Sequence, residues 1–277
     1  MEWFVERHDG TGFMVKAEKI AEHDGRQRIE IFSTPLGKML VIDGKIQFTE
    51  ADEFFYHEML VHAPMMMHPS PKKILIIGGG DGGAAREALK HKPEKVKIVE
   101  IDRAVVEMCR KYIGIDDGAL HDERVEILYM DGMDFVRNCR EKFDVVIVDG
   151  SDPDAASMPL VSKQFYSECS RICDIFATQS QSPLFQKDYF RAVMENSSSF
   201  SHRRIYLSFV PSYPSGMWSF MIASMNKMEL NRKDIEKRYE ERGLKTKYYT
   251  PAIHLASFVL PRWLEEVAER HGINIEK

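Results

Sequence analysis

The hydrophobic pattern of the chain changes after residue 71, where short apolar segments begin to alternate with longer amphipathic ones. Short apolar runs separated by segments of helical length are typical of buried parallel strands joined by crossover helices. Five runs fit this description: Lys73–Ile77, Val96–Val99, Val125–Tyr129, Val145–Val148 and Ile175–Thr178. The pattern therefore predicts a mostly parallel sheet in an α/β fold.

Two further apolar runs, Ile205–Val210 and Trp218–Ala223, are separated only by the short segment 211–216. Such a link is too short for a crossover helix, so the two runs should form an antiparallel pair at one end of the sheet. About seven strands result. A mostly parallel seven-stranded sheet that ends in an antiparallel pair is the Rossmann-like pattern of nucleoside-binding methyltransferases, an inference from architecture alone.

The N-terminal part of the chain has a different pattern. From Gln27 to Thr49 apolar and polar residues alternate, and Asp43-Gly44 is a dipeptide suited to a tight hairpin turn. Asp52–Met67 then carries apolar residues at roughly helical spacing. We expect a small antiparallel β-hairpin domain with its connecting helix over residues 1–68, followed by a Rossmann-like catalytic domain over residues 69–277.

Composition and charge limit the classes of binding partner that we expect for this protein. The chain has 277 residues, 44% of them hydrophobic, and a formal net charge of −5. It can therefore bury a full α/β core, and it lacks a basic footprint for nucleic acid or anionic lipid. No apolar run approaches the ~20 residues that span a bilayer, and the first residues lack the pattern of an export signal, which favours a cytoplasmic protein. The four cysteines show no paired spacing that would indicate zinc or disulfides.

A glycine-rich loop follows the first predicted strand of the large sheet. Gly78, Gly80 and Gly83 fit the pattern G-x-G-x-x-G at a strand-to-helix junction, which alone is a weak indication of nucleotide binding. Asp81 inside this loop would repel a phosphate, so a positively charged nucleoside is the better ligand. The alternative is that Asp81 only caps the following helix.

Polar side chains also follow the other predicted parallel strands. They are Glu100, Asp102, Asp131, Asp149, Asp152, Gln179 and Gln181. Because the carboxyl ends of parallel strands share one edge of the sheet, these side chains should line a single crevice. Several could instead be helix caps. Carboxylates crowded into one cleft repel one another unless the cleft binds cations or protons, so the set favours a polycationic ligand.

Two positions predict contacts with a nucleoside. Glu100 lies twenty positions after Gly80, where folds of this class place an acid that accepts hydrogen bonds from ribose hydroxyls. Asp131 and Gly132 would suit the exocyclic amine and the ring of adenine.

The motifs together resemble the polyamine aminopropyltransferases, especially the spermidine synthases, over nearly the whole chain. The resemblance implies transfer of an aminopropyl group from decarboxylated S-adenosylmethionine to a diamine, typically putrescine, with release of methylthioadenosine. It also implies a homodimer or homotetramer, and no metal is expected. The motifs are LVIDGKIQFTEADEFFYHE (40–58), GGGDGG (78–83), VEID (99–102), DG (131–132), DGSDP (149–153), PSYPSG (211–216) and YYTPAIHLASFVLP (248–261).

The resemblance also implies roles for individual residues. Asp149 matches the catalytic aspartate of the family. The nucleoside cofactor would be held by Gln27, Gly78, Gly80, Asp81, Glu100, Asp131 and Gly132. The amines would face Tyr56, His57, Asp81, Asp149, Asp152, Gln181 and Tyr213.

Elementary chemistry agrees with the role of Asp149. An attacking primary amine has a pKa near ~10.4, so holding it neutral at pH 7 costs roughly 4 to 5 kcal/mol. Asp149 would accept its proton, with support from the Tyr56 hydroxyl. Asp81 would hold the ammonium group of the aminopropyl arm and would repel the carboxylate of ordinary S-adenosylmethionine.

The sequence departs from the family in two places. The Gly-Pro that commonly follows Asp152-Pro153 is missing, and Ala156 stands where the family proline would support the adenine. Gln181 replaces an acid, which would weaken a contact to the far end of the amine. Putrescine is the first choice of acceptor, and cadaverine, agmatine and a longer polyamine are the alternative acceptors. The rival functions are an S-adenosylmethionine-dependent amine methyltransferase, a polyamine-binding module and an unrelated dehydrogenase.

Overall fold

The computed structural model describes residues 1–8, 11–150 and 158–275, which form two β-sheets and the helices around them. Within that part of the chain, no helix has the length and apolar character that a bilayer crossing requires.

The N-terminal sheet is antiparallel and has five strands in the order β1-β2-β3-β4-β5. The predicted small antiparallel unit is therefore confirmed, and Asp43 and Gly44 form the turn between β4 and β5 with φ angles of 50° and 78°. The pattern missed the first two strands. The five strands are β1 (Glu2–His8), β2 (Thr11–Asp24), β3 (Arg28–Thr34), β4 (Gly37–Ile42) and β5 (Lys45–Thr49).

The large sheet has seven strands in the order β11-β12-β10-β9-β6-β7-β8. Strands β6 to β10 are parallel, and β12 and β11 are added antiparallel at one end, which confirms the predicted sheet. The strands are β6 (Lys73–Gly78), β7 (Lys95–Glu100), β8 (Val125–Tyr129), β9 (Phe143–Asp149), β10 (Cys173–Gln181), β11 (His202–Phe209) and β12 (Met217–Ser224).

Helices cover both faces of this sheet, which explains why its strands are apolar throughout. In β6, Ile74 and Ile76 pack into one core with α1 and α2, while Leu75 and Ile77 pack into the core on the other face. The helices are α1 (Glu53–Met67), α2 (Gly83–Leu89), α3 (Arg103–Tyr112), α4 (Gly132–Asn138), α5 (Lys163–Ile172), α6 (Lys187–Asn196), α7 (Arg232–Arg242), α8 (Pro251–Ser257) and α9 (Arg262–Arg270).

Helix α1 links the two sheets and is buried on nearly all sides. It packs against β9, β10 and β11 of the large sheet. The buried Glu58 accepts hydrogen bonds from the backbone N–H groups of Lys247, Tyr248 and Tyr249 at 2.7–2.8 Å, so α1 is tied to the C-terminal segment. A separate apolar cluster packs Ile31 of the small sheet against Val105 of α3. The division of the chain at residue 68 stays a prediction.

Candidate functional site

A cleft lies between the small sheet and the carboxyl ends of the parallel strands, and its empty space, together with the open solvent at its mouth, amounts to about 1050 Å³. Most of the predicted site residues line it. These are Gln27, Tyr56, His57, Gly78, Gly80, Asp81, Glu100, Asp131, Gly132, Asp149 and Tyr213. Gln181 is fully buried and is not part of the lining. Asp152 and Ala156 lie outside the described residues.

The glycine loop brings the end of β6 against the end of β9. Gly78 has a φ of 83°, and a Cβ atom there would overlap the carbonyl oxygen of Asp149. The N–H of Gly79 donates to that same oxygen at 2.9 Å. Only glycine allows this backbone conformation and this close approach, so the loop places Asp149 beside Asp81.

Glu100 lies at the end of β7, at the nucleoside end predicted for the cleft. Its carboxylate accepts hydrogen bonds from the N–H of Gly80 at 3.1 Å and from the N–H of Asp102 at 2.9 Å. Burial raises the pKa of Glu100 to about 7, although these two hydrogen bonds oppose the shift. A ligand that donates hydrogen bonds to this carboxylate would therefore stabilise its charged form.

Two of the strand-end aspartates do cap helices. Asp131 accepts from the N–H of Met133 at 2.7 Å at the start of α4, and it also lines the cleft. Asp102 accepts from the N–H of Ala104 at 2.9 Å at the start of α3. Its other oxygen accepts from the N–H of Gln27 at 3.3 Å, which holds the small sheet at the cleft.

Asp149 and Tyr56 meet in the middle of the cleft. The hydroxyl of Tyr56 donates to Oδ1 of Asp149 at 2.9 Å. Oδ2 of Asp149 is buried and has no hydrogen-bond partner among the described residues. Burial and the nearby charge of Asp81 raise the pKa of Asp149 to about 6, while His57 and the Tyr56 hydroxyl lower it. This carboxylate can take up a proton near neutral pH and has an oxygen available for it.

Asp81 is paired with His57. Oδ1 of Asp81 accepts from the N–H of Gly83 at 2.6 Å and lies 3.5 Å from Nε2 of His57. On the other side of the ring, Nδ1 of His57 is 2.7 Å from Oε2 of Glu53. Although burial opposes the charged form, Asp81 and Glu53 raise the pKa of His57 well above its usual value. Burial likewise opposes ionisation of Asp81, but His57 and the Gly83 N–H lower its pKa.

The structure adds cleft residues that the sequence did not single out. Glu6 of β1, Gln47 of β5 and Trp218 of β12 all line the cleft, together with Gln179 of β10, which was expected at this edge of the sheet. Glu6 is 2% exposed, and its carboxylate accepts from the N–H of Ile46 at 3.1 Å. The only signal for Glu6 was an acid at an inward-facing position of a short strand, which is visible only once the strand is known.

Two carboxylates of the cleft could face a cation. The ligand atoms of His57, Asp81 and Asp149 all lie within 4.8 Å of one another, but a doubly protonated His57 has no lone pair to offer, so it is Asp81 and Asp149 that suit an organic ammonium group. The expectation of no metal stays a prediction.

A similar group of His68, Asp144 and Asp174 lies at the opposite end of the strands. There Nδ1 of His68 accepts from the N–H of Ser70. In the neutral ring Nε2 therefore carries the hydrogen that faces the two acids, so these three side chains are compatible without a metal ion.

Known proteins share both the sequence and the fold of the chain. Residues 53–234 match the family described as "Spermine/spermidine synthase domain", and residues 2–50 match "Spermidine synthase tetramerisation domain". A polyamine aminopropyltransferase from Archaeoglobus fulgidus is 50% identical over 271 residues, covering 97% of this chain and 99% of that protein. One from Thermotoga maritima is 39% identical over 276 residues, covering 95% of this chain and 93% of that protein.

Solved structures agree with this assignment. A spermidine synthase in complex with the transition state analogue AdoDATO superposes with a TM-score of 0.91 at 38% identity, covering 98% of this chain and 95% of that one. The spermidine synthase from Thermotoga maritima gives a TM-score of 0.89 at 37% identity, covering 99% and 95%. The chain therefore belongs to the spermidine and spermine synthase family of polyamine aminopropyltransferases.

Proposed function

We propose that this enzyme transfers the aminopropyl group of decarboxylated S-adenosylmethionine to putrescine and releases spermidine and methylthioadenosine. The observation that carries the proposal is the buried Asp149 carboxylate, hydrogen-bonded by Tyr56 and placed beside Asp81 in a cleft rich in acids. The AdoDATO complex of a structural neighbour at 38% identity supports the choice of cofactor.

The nucleoside would lie along the ends of β7 and β8. Glu100 would accept hydrogen bonds from the ribose hydroxyls, which would return its pKa from about 7 toward the usual range of an acid. Asp131 would accept from the adenine amine. The backbone of Gly132 would lie close to the ring, and Gln27 would close the site from the small sheet.

The amine end would lie between Asp81 and Asp149. The acceptor enters as an ammonium ion, and Asp149 takes one proton from it, helped by the raised pKa of its carboxyl group. The freed nitrogen lone pair attacks the carbon next to sulfur, the new C–N bond forms, and the C–S electrons leave with the sulfur as a neutral thioether. No acid is needed for that leaving group, so the remaining acceleration comes from alignment of nitrogen, carbon and sulfur.

The far end of the acceptor is assigned to Glu6 rather than to Gln181. Glu6 is a buried acid on the cleft wall, with Nζ of Lys45 4.0 Å from its Oε1, and the second ammonium group of a diamine would add a charge-assisted hydrogen bond to it. Putrescine remains the first choice on the strength of the family. Cadaverine, agmatine or a longer polyamine would bind the same acid through a cationic group at a different distance from the attacking nitrogen.

The decisive experiment is mass spectrometry of products from decarboxylated S-adenosylmethionine and a panel of amines, run beside the same panel with S-adenosylmethionine. We expect the mass of putrescine to increase by one aminopropyl group, and no methylated amine in the parallel panel. If no amine gains an aminopropyl group, the proposal is wrong. A different best acceptor would overturn only the choice of putrescine.

We also propose that the enzyme is a homo-oligomer, a dimer or a tetramer. The match of residues 2–50 to a tetramerisation domain supports this, and Trp3, Val5 and Met14 expose apolar surface on the small sheet. Sedimentation at micromolar concentration should give a dimer or tetramer, and a monomer would contradict the proposal.

A further inference from the structure

Four side chains of alternating charge form a buried line that runs from the cleft into the protein. Nε2 of His57 is 3.5 Å from Oδ1 of Asp81, and Nδ1 of His57 is 2.7 Å from Oε2 of Glu53. The same Glu53 oxygen accepts a hydrogen bond from Nη2 of Arg86 at 2.8 Å. Of the four, Asp81 and His57 line the cleft, and the other two lie behind them.

The hydrogen-bonding capacities of these groups determine where the protons are. Arg86 can only donate, and one Glu53 oxygen receives both Arg86 and His57, so Glu53 is ionised and Nδ1 of His57 carries a hydrogen. Burial opposes this charge, but His57 and Arg86 lower the pKa of Glu53 to about 2. If His57 were neutral, its remaining lone pair on Nε2 would face the Asp81 carboxylate. Only the doubly protonated ring satisfies both neighbours.

The His57 ring is held in this position by packing. Its side chain is 2% exposed, and a Cβ atom on Gly83 would lie 2.5 Å from the ring. Phe48 contacts another edge, with ring centroids 6.1 Å apart. The ring therefore has no room to turn away from Asp81 when its charge changes.

We propose that Glu53, bridged to Arg86, is a positioning residue for the transfer reaction, because it keeps His57 as an imidazolium that holds Asp81 ionised and fixed in orientation. Oδ1 of Asp81 accepts a hydrogen bond from the Gly83 N–H and forms an ion pair with the His57 ring at 3.5 Å, and these two contacts define the rotation of the carboxylate. This inference rests on the proposed function, in which Asp81 binds the ammonium group of the aminopropyl arm.

The same charge acts on Asp149. The groups that face His57 are Glu53 on its own helix, with Arg86 behind it, Asp81 on the glycine loop and Asp149 at the end of β9. The positive charge of His57 lowers the pKa of Asp149 and so favours the form that accepts a proton from the amine. Glu53 would thus influence the anchoring acid and the base through one imidazolium.

The first test measures His57 in the substrate-free wild-type enzyme. Imidazole NMR shifts would be followed from pH 5.5 to 9 and assigned by loss of the signal in His57→Gln. We expect His57 to stay doubly protonated across this range, and a midpoint near 6.5 in wild type would overturn the proposal. Since no substrate is present, the outcome does not depend on the transfer activity.

The second test is Glu53→Gln, which keeps size and removes the charge. We expect the titration midpoint of His57 to fall into the measured pH range and the acid limb of the kcat–pH profile to move to higher pH. KM for decarboxylated S-adenosylmethionine should rise roughly tenfold, because Asp81 loses part of a charge-assisted contact. A structural role alone would leave the His57 midpoint and the pH limb unchanged.

Glu58→Gln is the matched control, because Glu58 is another buried acid of α1 but binds the backbone at residues 247–249 instead of His57. It should lower stability without moving the His57 midpoint or the limb. Equal shifts in both variants would contradict a specific role for Glu53. If Glu53→Gln does not fold, the wild-type titration still decides whether His57 is an imidazolium.

Discussion

The hydrogen bond from Tyr56 to Asp149 should set the pH at which the enzyme loses activity on the acid side. The hydroxyl stabilises the ionised carboxylate at 2.9 Å, and Tyr56 is only 5% exposed. A hydrogen bond to a charged group contributes about 1.5–3 kcal/mol, and one pKa unit corresponds to about 1.4 kcal/mol. Tyr56→Phe should therefore raise the pKa of Asp149 by roughly one to two units from its value of about 6.

The shift has a large effect close to neutral pH. With a pKa of about 6, roughly three quarters of Asp149 is ionised at pH 6.5, whereas a pKa near 7.5 would leave roughly a tenth. At pH 6.5 the variant should therefore keep roughly a tenth of its own high-pH plateau, whereas wild type keeps roughly three quarters, so the two fractions differ roughly eightfold. Any contact of the hydroxyl with the amine would lower the plateau itself, which is a separate quantity.

The assay is kcat from pH 5 to 9 with both substrates saturating. Saturation matters because Glu100, with a pKa raised by burial to about 7, would add its own titration to kcat/KM for the sulfonium substrate. Tyr213→Phe is the matched control, since that hydroxyl donates to the backbone carbonyl of Gln47 in the same cleft. An unmoved limb in Tyr56→Phe, or the same shift in Tyr213→Phe, would refute the reasoning.

Three further predictions concern stability and cofactor binding. Gly132→Ala places a Cβ 2.5 Å from Cγ2 of Ile77. We therefore expect the free energy of unfolding in urea to fall by about 1–3 kcal/mol and KM for the nucleoside substrate to rise. Unchanged values would show that the backbone can move away from Ile77. Glu58→Gln weakens three hydrogen bonds from the backbone to a buried carboxylate and should lower the free energy of unfolding in urea by about 2–4 kcal/mol. A loss below about 0.5 kcal/mol would contradict the anchoring role of Glu58. Burial lowers the pKa of His254 to about 3 and that of His91 well below its usual value, so both stay neutral in the folded protein while the unfolded chain takes up protons below about pH 6.5. His254 alone should cost about 2 kcal/mol of unfolding free energy between pH 6.5 and 5, and equal stability at the two pH values would contradict this assignment.

The large sheet could be predicted from the sequence because its strands are buried on both faces. A continuous apolar run such as that of β6, followed by glycines and then a helical pattern, is typical of a central parallel strand. The first strand of the small sheet has no such clear pattern. In β1, Trp3 and Val5 are exposed, while Glu6 is buried on the face where Phe4 packs against an apolar cluster, so both faces mix apolar and polar or exposed residues. A pattern that assumes apolar residues point inward does not find such a strand.

Most of the site could be predicted because parallel strands end at one edge, whatever the details of their packing. Gln181 shows where that argument fails. In a regular strand Gln179 and Gln181 would point to the same side, but the pairing of β10 with β12 shifts register between them, and Gln181 has a φ of 65°. Gln179 reaches the cleft, whereas Gln181 is buried away from it. A bulge of this kind depends on the partner strand, which the local sequence does not reveal.

Helix capping does not prevent a strand-end acid from lining the cleft. Asp131 caps α4 and Asp81 accepts the N–H of Gly83 at the start of α2, while both line the cleft. A backbone N–H at a helix start stabilises a carboxylate that would otherwise be repelled by its neighbours. Asp81 is in addition paired with the cation His57, whereas Asp149 and Glu100 form no ion pair among the described residues, and theirs are the raised pKa values. In the proposed complex these two acids would face the reacting amine and the ribose, where the ammonium group of the acceptor and the ribose hydroxyls would supply the missing hydrogen-bond donors.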